Sequence, residues 1–335
     1  MKDEADVLYA AERWIGDGHA VAVATVLSTW GSAPRQAGSQ IAVRDDGAFV
    51  GSVSGGCIEG SVIEAAQAAM LDGRLRRLEI GVQDEKAWSV GLACGGRIDI
   101  LIEAVATPAA RATLAALNEA RRARRPMVRA VDLSLGGDRL VDPGTDRSPL
   151  GLAAAAAMRA DRSATVDIDG RPCFLAVYNP PVDLVVVGAV QVAQALARIA
   201  DMVGFDVRVI DPRGAFATAE RFPGVALSRE YPDEALAQAP LGSRSALVVL
   251  SHDPKIDDPA LAAALASPAF YVGVLGSKRT HAARLARLKQ RGFADEALAR
   301  IKGPVGLSIG AKSPEEIAVS IVAQLIAELR RAGQS

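Results

Sequence analysis

The stretch Gly51-Ser-Val-Ser-Gly-Gly-Cys-Ile-Glu-Gly60 sets a cysteine among glycines immediately before an amphipathic run. Ile58, Val62, Ile63, Ala66 and Met70 recur at helical spacing, which predicts a helix with Cys57 in or just before its first turn. A helix N-terminus carries partial positive charge and unpaired N–H donors, and both favour thiolate over thiol and attract anions. Gly55 and Gly56 supply backbone that a ligand can approach closely, and Glu59 belongs to the same loop. The chemistry on offer is a reactive or metal-ligating thiol in an anion site. The same pattern also fits a small buried residue in a tight turn, because free cysteine is often simply core.

A second stretch, Gly91-Leu-Ala-Cys-Gly-Gly-Arg97, again puts a cysteine, Cys94, against a glycine pair, Gly95 and Gly96. It opens the apolar segment Ile98, Ile100, Leu101, Ile102. The third cysteine, Cys173, falls in the alternating run Arg171-Pro-Cys-Phe-Leu-Ala-Val-Tyr178 and reads as strand core. Three cysteines and three histidines, scattered without paired metal-site spacing, give no case for structural zinc.

These residues must be positioned by elements of a chain of 335 residues, more than one typical core requires, so two domains are expected. A formal net charge of -1 offers no electrostatic argument for nucleic acid or an anionic membrane. Few cysteines, an acidic start and no apolar run of membrane-spanning length point to a cytoplasmic protein.

The first part, residues 1–180, reads as an α+β domain. A helix carries Val7, Leu8, Ala11, Trp14 and Ile15, and a strand runs from Ala20 to Leu27. The Asp45-Asp46-Gly47 turn joins Gln40 to Arg44 and Ala48 to Val53 as a hairpin. Trp30 is either a core anchor or a residue over the Cys57 loop. Arg121, Arg122, Arg124 and Arg125 end a basic helix, where cations complement the helix dipole and face solvent. Asn179-Pro-Pro181 then breaks the pattern, and the boundary is expected between Asn179 and Asp183.

From there, residues 181–335 alternate strand, glycine, helix, strand. Val182 to Gly188, Asp206 to Ile210, Ser245 to Ser251 and Phe270 to Leu275 are apolar runs of the kind buried parallel strands show, giving a Rossmann-like, doubly wound α/β domain. A dinucleotide fingerprint would need glycines at the positions of Gly188, Val190 and Ala193, and Val190 breaks it. Asp211, about 20 residues on, stands where an acid accepts ribose hydroxyls. Ligands collect at strand carboxyl ends in such sheets, which makes His252 and the run Gly276, Ser277, Lys278, Arg279 candidates for a phosphate or nucleotide. Ser313-Pro-Glu-Glu316 spells a capping box ahead of a last amphipathic helix.

Taken in order, Gly51 to Gly60, Ala93-Cys-Gly-Gly96, Tyr271-Val-Gly-Val-Leu-Gly-Ser-Lys-Arg-Thr280 and Gly303-Pro-Val-Gly-Leu-Ser-Ile-Gly-Ala-Lys312 resemble the XdhC/CoxI family along nearly the whole chain. The resemblance implies an accessory protein for molybdenum hydroxylases such as xanthine dehydrogenase or carbon monoxide dehydrogenase. Such a protein holds the molybdenum cofactor, in molybdopterin or dinucleotide form, keeps its terminal sulfur intact and assists insertion into the apoenzyme. It implies the hydroxylase apoenzyme and a cysteine desulfurase as partners, and a homodimer. Cys57 and Cys94 would then lie near the molybdenum or its sulfur, since soft ligands suit soft centres. Gly188-Ala-Val-Gln191 departs from the family's Gly-Ala-Gly-His, which tells against NAD(P). The competing expectation is an NAD(P)-linked oxidoreductase using the Rossmann crevice.

Overall fold

The computed structural model describes residues 6–31, 35–81 and 96–332. It divides into two compact units, Met1–Pro180 and Pro181–Ser335, each with its own sheets and core.

In the first unit the order is α1 (Val7–Gly16), β1 (Val21–Trp30), β2 (Gln40–Arg44), β3 (Phe49–Gly51), α2 (Glu59–Asp72), β4 (Arg76–Ile80), β5 (Arg97–Ala104), α3 (Pro108–Arg122), β6 (Met127–Asp132), β7 (Asp138–Val141), α4 (Pro149–Arg159), β8 (Ala164–Ile168) and β9 (Arg171–Tyr178). An antiparallel sheet runs β3-β2-β1-β5-β4, and a second runs β7-β6-β9-β8. The apolar run in β1 does not alternate because both faces of that strand are covered. Ala22, Ala24 and Val26 pack with Val62, Ala66 and Ala69 of α2. Val21 and Val23 pack with α1 and α3 through Leu8, Ala11, Leu114 and Leu117. Leu27 and Leu101 meet Val131, Phe174 and Ala176, which joins the two sheets.

Two expectations about this unit need correction. The end of α3 is not merely solvated: Arg121 grips Asp6 bidentately and lies over the Tyr9 ring, and Arg122 pairs with Glu12. The cations that complement the α3 dipole thereby also tie it to α1. Trp30 is 75% exposed at the end of β1 and anchors no core.

The second unit continues with β10 (Asp183–Val187), α5 (Gln191–Met202), β11 (Asp206–Ile210), β12 (Ala226–Ser228), α6 (Pro232–Gln238), β13 (Ser245–Val249), α7 (Pro254–Leu265), β14 (Tyr271–Val274), α8 (Lys278–Gln290), α9 (Asp295–Leu298), β15 (Ile301–Lys302) and α10 (Pro314–Ala332). Its sheet is parallel throughout, in the order β12-β11-β10-β13-β14-β15. That is the Rossmann order, with the chain reversing direction between β10 and β13; ligands of open α/β sheets gather in the crevice at such a reversal. Both faces are covered, by α5 and α10 on one side and by α6, α7 and α8 on the other. The capping box forms as spelled, Glu316 N–H donating to Ser313 Oγ and Ser313 N–H to the Glu316 carboxylate. Among the described residues no helix is long and apolar enough to cross a membrane.

Candidate functional site

Between β3 and α2 the chain folds around a single carboxylate. Glu59, 8% exposed, accepts from Ser52 Oγ, Val53 N–H and Ser54 N–H on one oxygen, and from Ser54 Oγ, Gly56 N–H and Ile58 N–H on the other. Ser54 Oγ in turn accepts from the amides of Cys57 and Ile58, both at 3.1 Å. Val53 and Ile58 are fully buried and seat the two ends of the loop in the core. Burial by itself would raise the Glu59 carboxyl, but the Ser54 and Ser52 hydroxyls and the loop amides outweigh it and hold it down at about 2.

This arrangement changes the reading of the loop. Cys57 does stand just before the helix, which starts at Glu59, and it is half-buried with its sulfur free of any disulfide. The amides of Gly55 and Gly56 are not bare, however: they donate to Ser52 Oγ and to Glu59. The loop has already taken up an anion of its own, since a negatively charged Glu59 fills the place where an external anion was expected. Glu59 holds the loop together; its oxygens are committed to it. Cys94 and Gly95 lie outside the described residues. Gly96 is buried directly ahead of β5. Cys173 is a core residue of β9, 8% exposed, and burial pushes its thiol up. Among the described residues no group of three or more His, Cys, Asp or Glu side chains is arranged to hold a metal ion.

In the Rossmann unit, Gly188 ends β10 with φ 102°. A Cβ there would stand 2.7 Å from the Ser251 amide nitrogen, so glycine is required for β10 and the end of β13 to approach. Val190 is the N-cap residue of α5 without a capping side chain, and packs half-buried on the core. Asp211 is fully buried, and its carboxylate is spent: it accepts from Ala189 N–H at 2.7 Å, from Arg213 N–H, and from the Arg213 guanidinium on both oxygens. Burial alone would raise this carboxyl, but Arg213 and the two amides hold it below the ordinary range. The expected ribose acceptor is thus a lock between the turns after β10 and β11.

Next to it, His252 is exposed with φ 65°. Ser251 Oγ donates to Asp257, whose other oxygen receives Arg284 Nη2 at 3.0 Å. Both Asp257 and Arg284 are 1% exposed. Burial pushes the Asp257 carboxyl up despite these partners, and burial and Arg284 together push the His281 imidazole down. Ser277 is the N-cap of α8, accepting from Thr280 N–H at 3.1 Å, and Lys278 and Arg279 are exposed in its first turn. Gly276 precedes them, so this stretch keeps the exposed, cationic character expected of it.

The profile of the XdhC and CoxI family matches residues 14–81, and that of the XdhC Rossmann domain matches residues 184–325. The chain belongs to the XdhC/CoxI family. It is 28% identical to the molybdenum cofactor insertion chaperone PaoD of Escherichia coli (strain K12), over 96% of this chain and 88% of that protein. It is also 28% identical to a probable xanthine dehydrogenase subunit of Bacillus subtilis (strain 168), over 94% and 95%. The crystal structure of a chain described as a xanthine dehydrogenase from Bacillus halodurans superposes with a TM-score of 0.77 at 26% identity, covering 97% of this chain and 96% of that one. Both XdhC/CoxI profiles fall on the units that carry the Cys57 loop and the Rossmann crevice.

Sequence reasoning missed Ser52, Ser54, Asp257 and Arg284. The serines stood in the quoted motif but were given no role of their own. Arg284 had a signal: His281, Arg284 and Leu288 share one stripe of α8, and Leu288 is fully buried.

Proposed function

We propose that this protein binds the molybdenum cofactor and delivers it to a molybdenum hydroxylase apoenzyme. The observation that carries the reading is the correspondence over nearly the whole chain with a relative named as a molybdenum cofactor insertion chaperone. Cys57 supports it as a half-buried free thiol on a loop held together by Glu59, a ligand type that suits a soft metal centre or its sulfur. Cys94, with Gly95 and Gly96, is proposed as a second sulfur contact on its sequence position. The cofactor is cargo and supplies the redox chemistry to its client; the chain's own task is to hold it and exclude water. Protection of the terminal sulfur, supply of that sulfur by a cysteine desulfurase, a cytoplasmic setting and a homodimer belong to the same proposal.

Protein purified from cells that make the cofactor is expected to carry molybdenum and pterin. Cys57→Ser should leave the circular dichroism spectrum intact, because a loop thiol adds little to the core, yet lower molybdenum per chain by about tenfold. Wild-type molybdenum content in that variant would sink the thiol role.

A nicotinamide role is disfavoured by Val190 and by the commitment of Asp211 to Arg213. Calorimetry with NAD and NADP should show weak binding at most. Tight binding by the unaltered chain would promote the oxidoreductase reading above the chaperone one.

A further inference from the structure

Among the described residues, the buried side-chain polar atoms without a hydrogen-bond partner are His281 Nδ1, Arg284 Nε and Arg284 Nη1. Both residues sit near the start of α8, one turn apart. Leaving N–H groups of a guanidinium dry and unpaired is costly, so buried arginines normally have every edge engaged. Here only Nη2 is engaged, with Asp257 at 3.0 Å and with the Leu275 carbonyl at 3.4 Å. Nη1 lies 3.8 Å from the point where a Cβ on Gly276 would stand, so this free edge is directed at the loop that opens α8.

The outer side of that loop suits an anion as well. Lys278 and Arg279 occupy the first turn, no acidic residue does, and the helix is long enough, at 13 residues, to present a full N-terminal partial charge. Other helix starts of the chain have carboxylates of their own: Asp211 on the Ala189 amide ahead of α5, Asp253 on the Lys255 amide at α7, and Glu59 at α2. Asp257 offsets the charge of Arg284, and among the described residues Lys278 and Arg279 have no carboxylate partner in the first turn of α8.

We infer that the Gly276–Arg279 loop is a phosphoryl-binding subsite, with the first α8 amides, Lys278 and Arg279 as outer contacts and Arg284 as the buried cation beneath Gly276. The group it takes is a phosphate ester or pyrophosphate. The Cys57 loop, filled by Glu59, takes no phosphate.

The test is calorimetry on the full chain stripped of cofactor, with pyrophosphate and inorganic phosphate as the probes. Both should bind, and Lys278→Glu with Arg279→Glu should weaken binding by about tenfold or more at an unchanged thermal midpoint, because charge-assisted hydrogen bonds are replaced by repulsion. Arg284→Lys, which keeps a cation opposite Asp257 but loses the planar donor edge, should weaken it by about tenfold too. No binding of either anion to the unaltered chain, or unchanged affinity in the surface double variant, overturns the subsite. Absent anion binding with normal molybdenum loading would remove the subsite and leave the chaperone reading standing. Intact anion binding in a chain that never carries molybdenum would do the reverse.

Discussion

Replacing Gly188 by alanine is expected to destabilise the Rossmann unit by about 3 kcal/mol or more, through a left-handed backbone denied its glycine and a backbone clash at once. The added methyl would meet the Ser251 nitrogen at 2.7 Å and its Cα at 2.9 Å, and neither is the far end of a side chain that can swing aside. Relief requires β10 and β13 to part where their ladder is fully buried, Val187 opposite Val249. Hydrogen exchange followed by mass spectrometry should show faster exchange in 183–187 and 245–249. Trp14, Trp30 and Trp88 all precede the second unit in the chain, so tryptophan emission serves as the internal control. Wild-type protection in both strands would show that the crossing has slack the geometry denies.

Glu59→Ala is expected to cost about 3 kcal/mol, because it strips the acceptor from several buried donors at once rather than from one. The loop should open with it, and Cys57 should be alkylated faster by a small thiol reagent. A pH dependence accompanies this. The folded carboxyl is held at about 2 against an ordinary 4.5, so the loop's stabilisation is complete above about 4.5 and is lost as pH falls toward 2. Native-state alkylation of Cys57, corrected for thiolate fraction, should accelerate over that window in the wild type and be flat in Glu59→Gln. Equal alkylation rates in wild type and Glu59→Ala would mean that the serines hold the loop unaided.

Glycines singled out both of these loops in the sequence, but local pattern shows which backbone is permissive and not which group already occupies it. Gly55 and Gly56 looked like donors awaiting an anion, while the anion was Glu59, three residues on from Gly56 in the same motif. Asp211 stood at the right strand end for a ribose, but Arg213, two residues further, had closed on it.

By itself the sequence determined the elements with strong periodicity or unambiguous punctuation: the first helix, the β2–β3 hairpin, the strands of a doubly wound sheet with their glycine stops, and the Ser313–Glu316 box. Those signals are local, because periodicity and capping are settled within a turn or two of chain. Short elements such as β12, β15 and α9 left no trace, being held by neighbours rather than by their own pattern. The tertiary structure alone decided which charges were spent and which were free. Arg121 was taken by Asp6, 115 residues away, and Asp257 by Arg284, 27 residues away. Composition reports the number of charges and spacing reports their face, but the partner of a buried ion is fixed by packing between distant segments. For that reason the partner of Arg284 on one edge, and the direction of its other edge toward Gly276, became visible only in the folded chain.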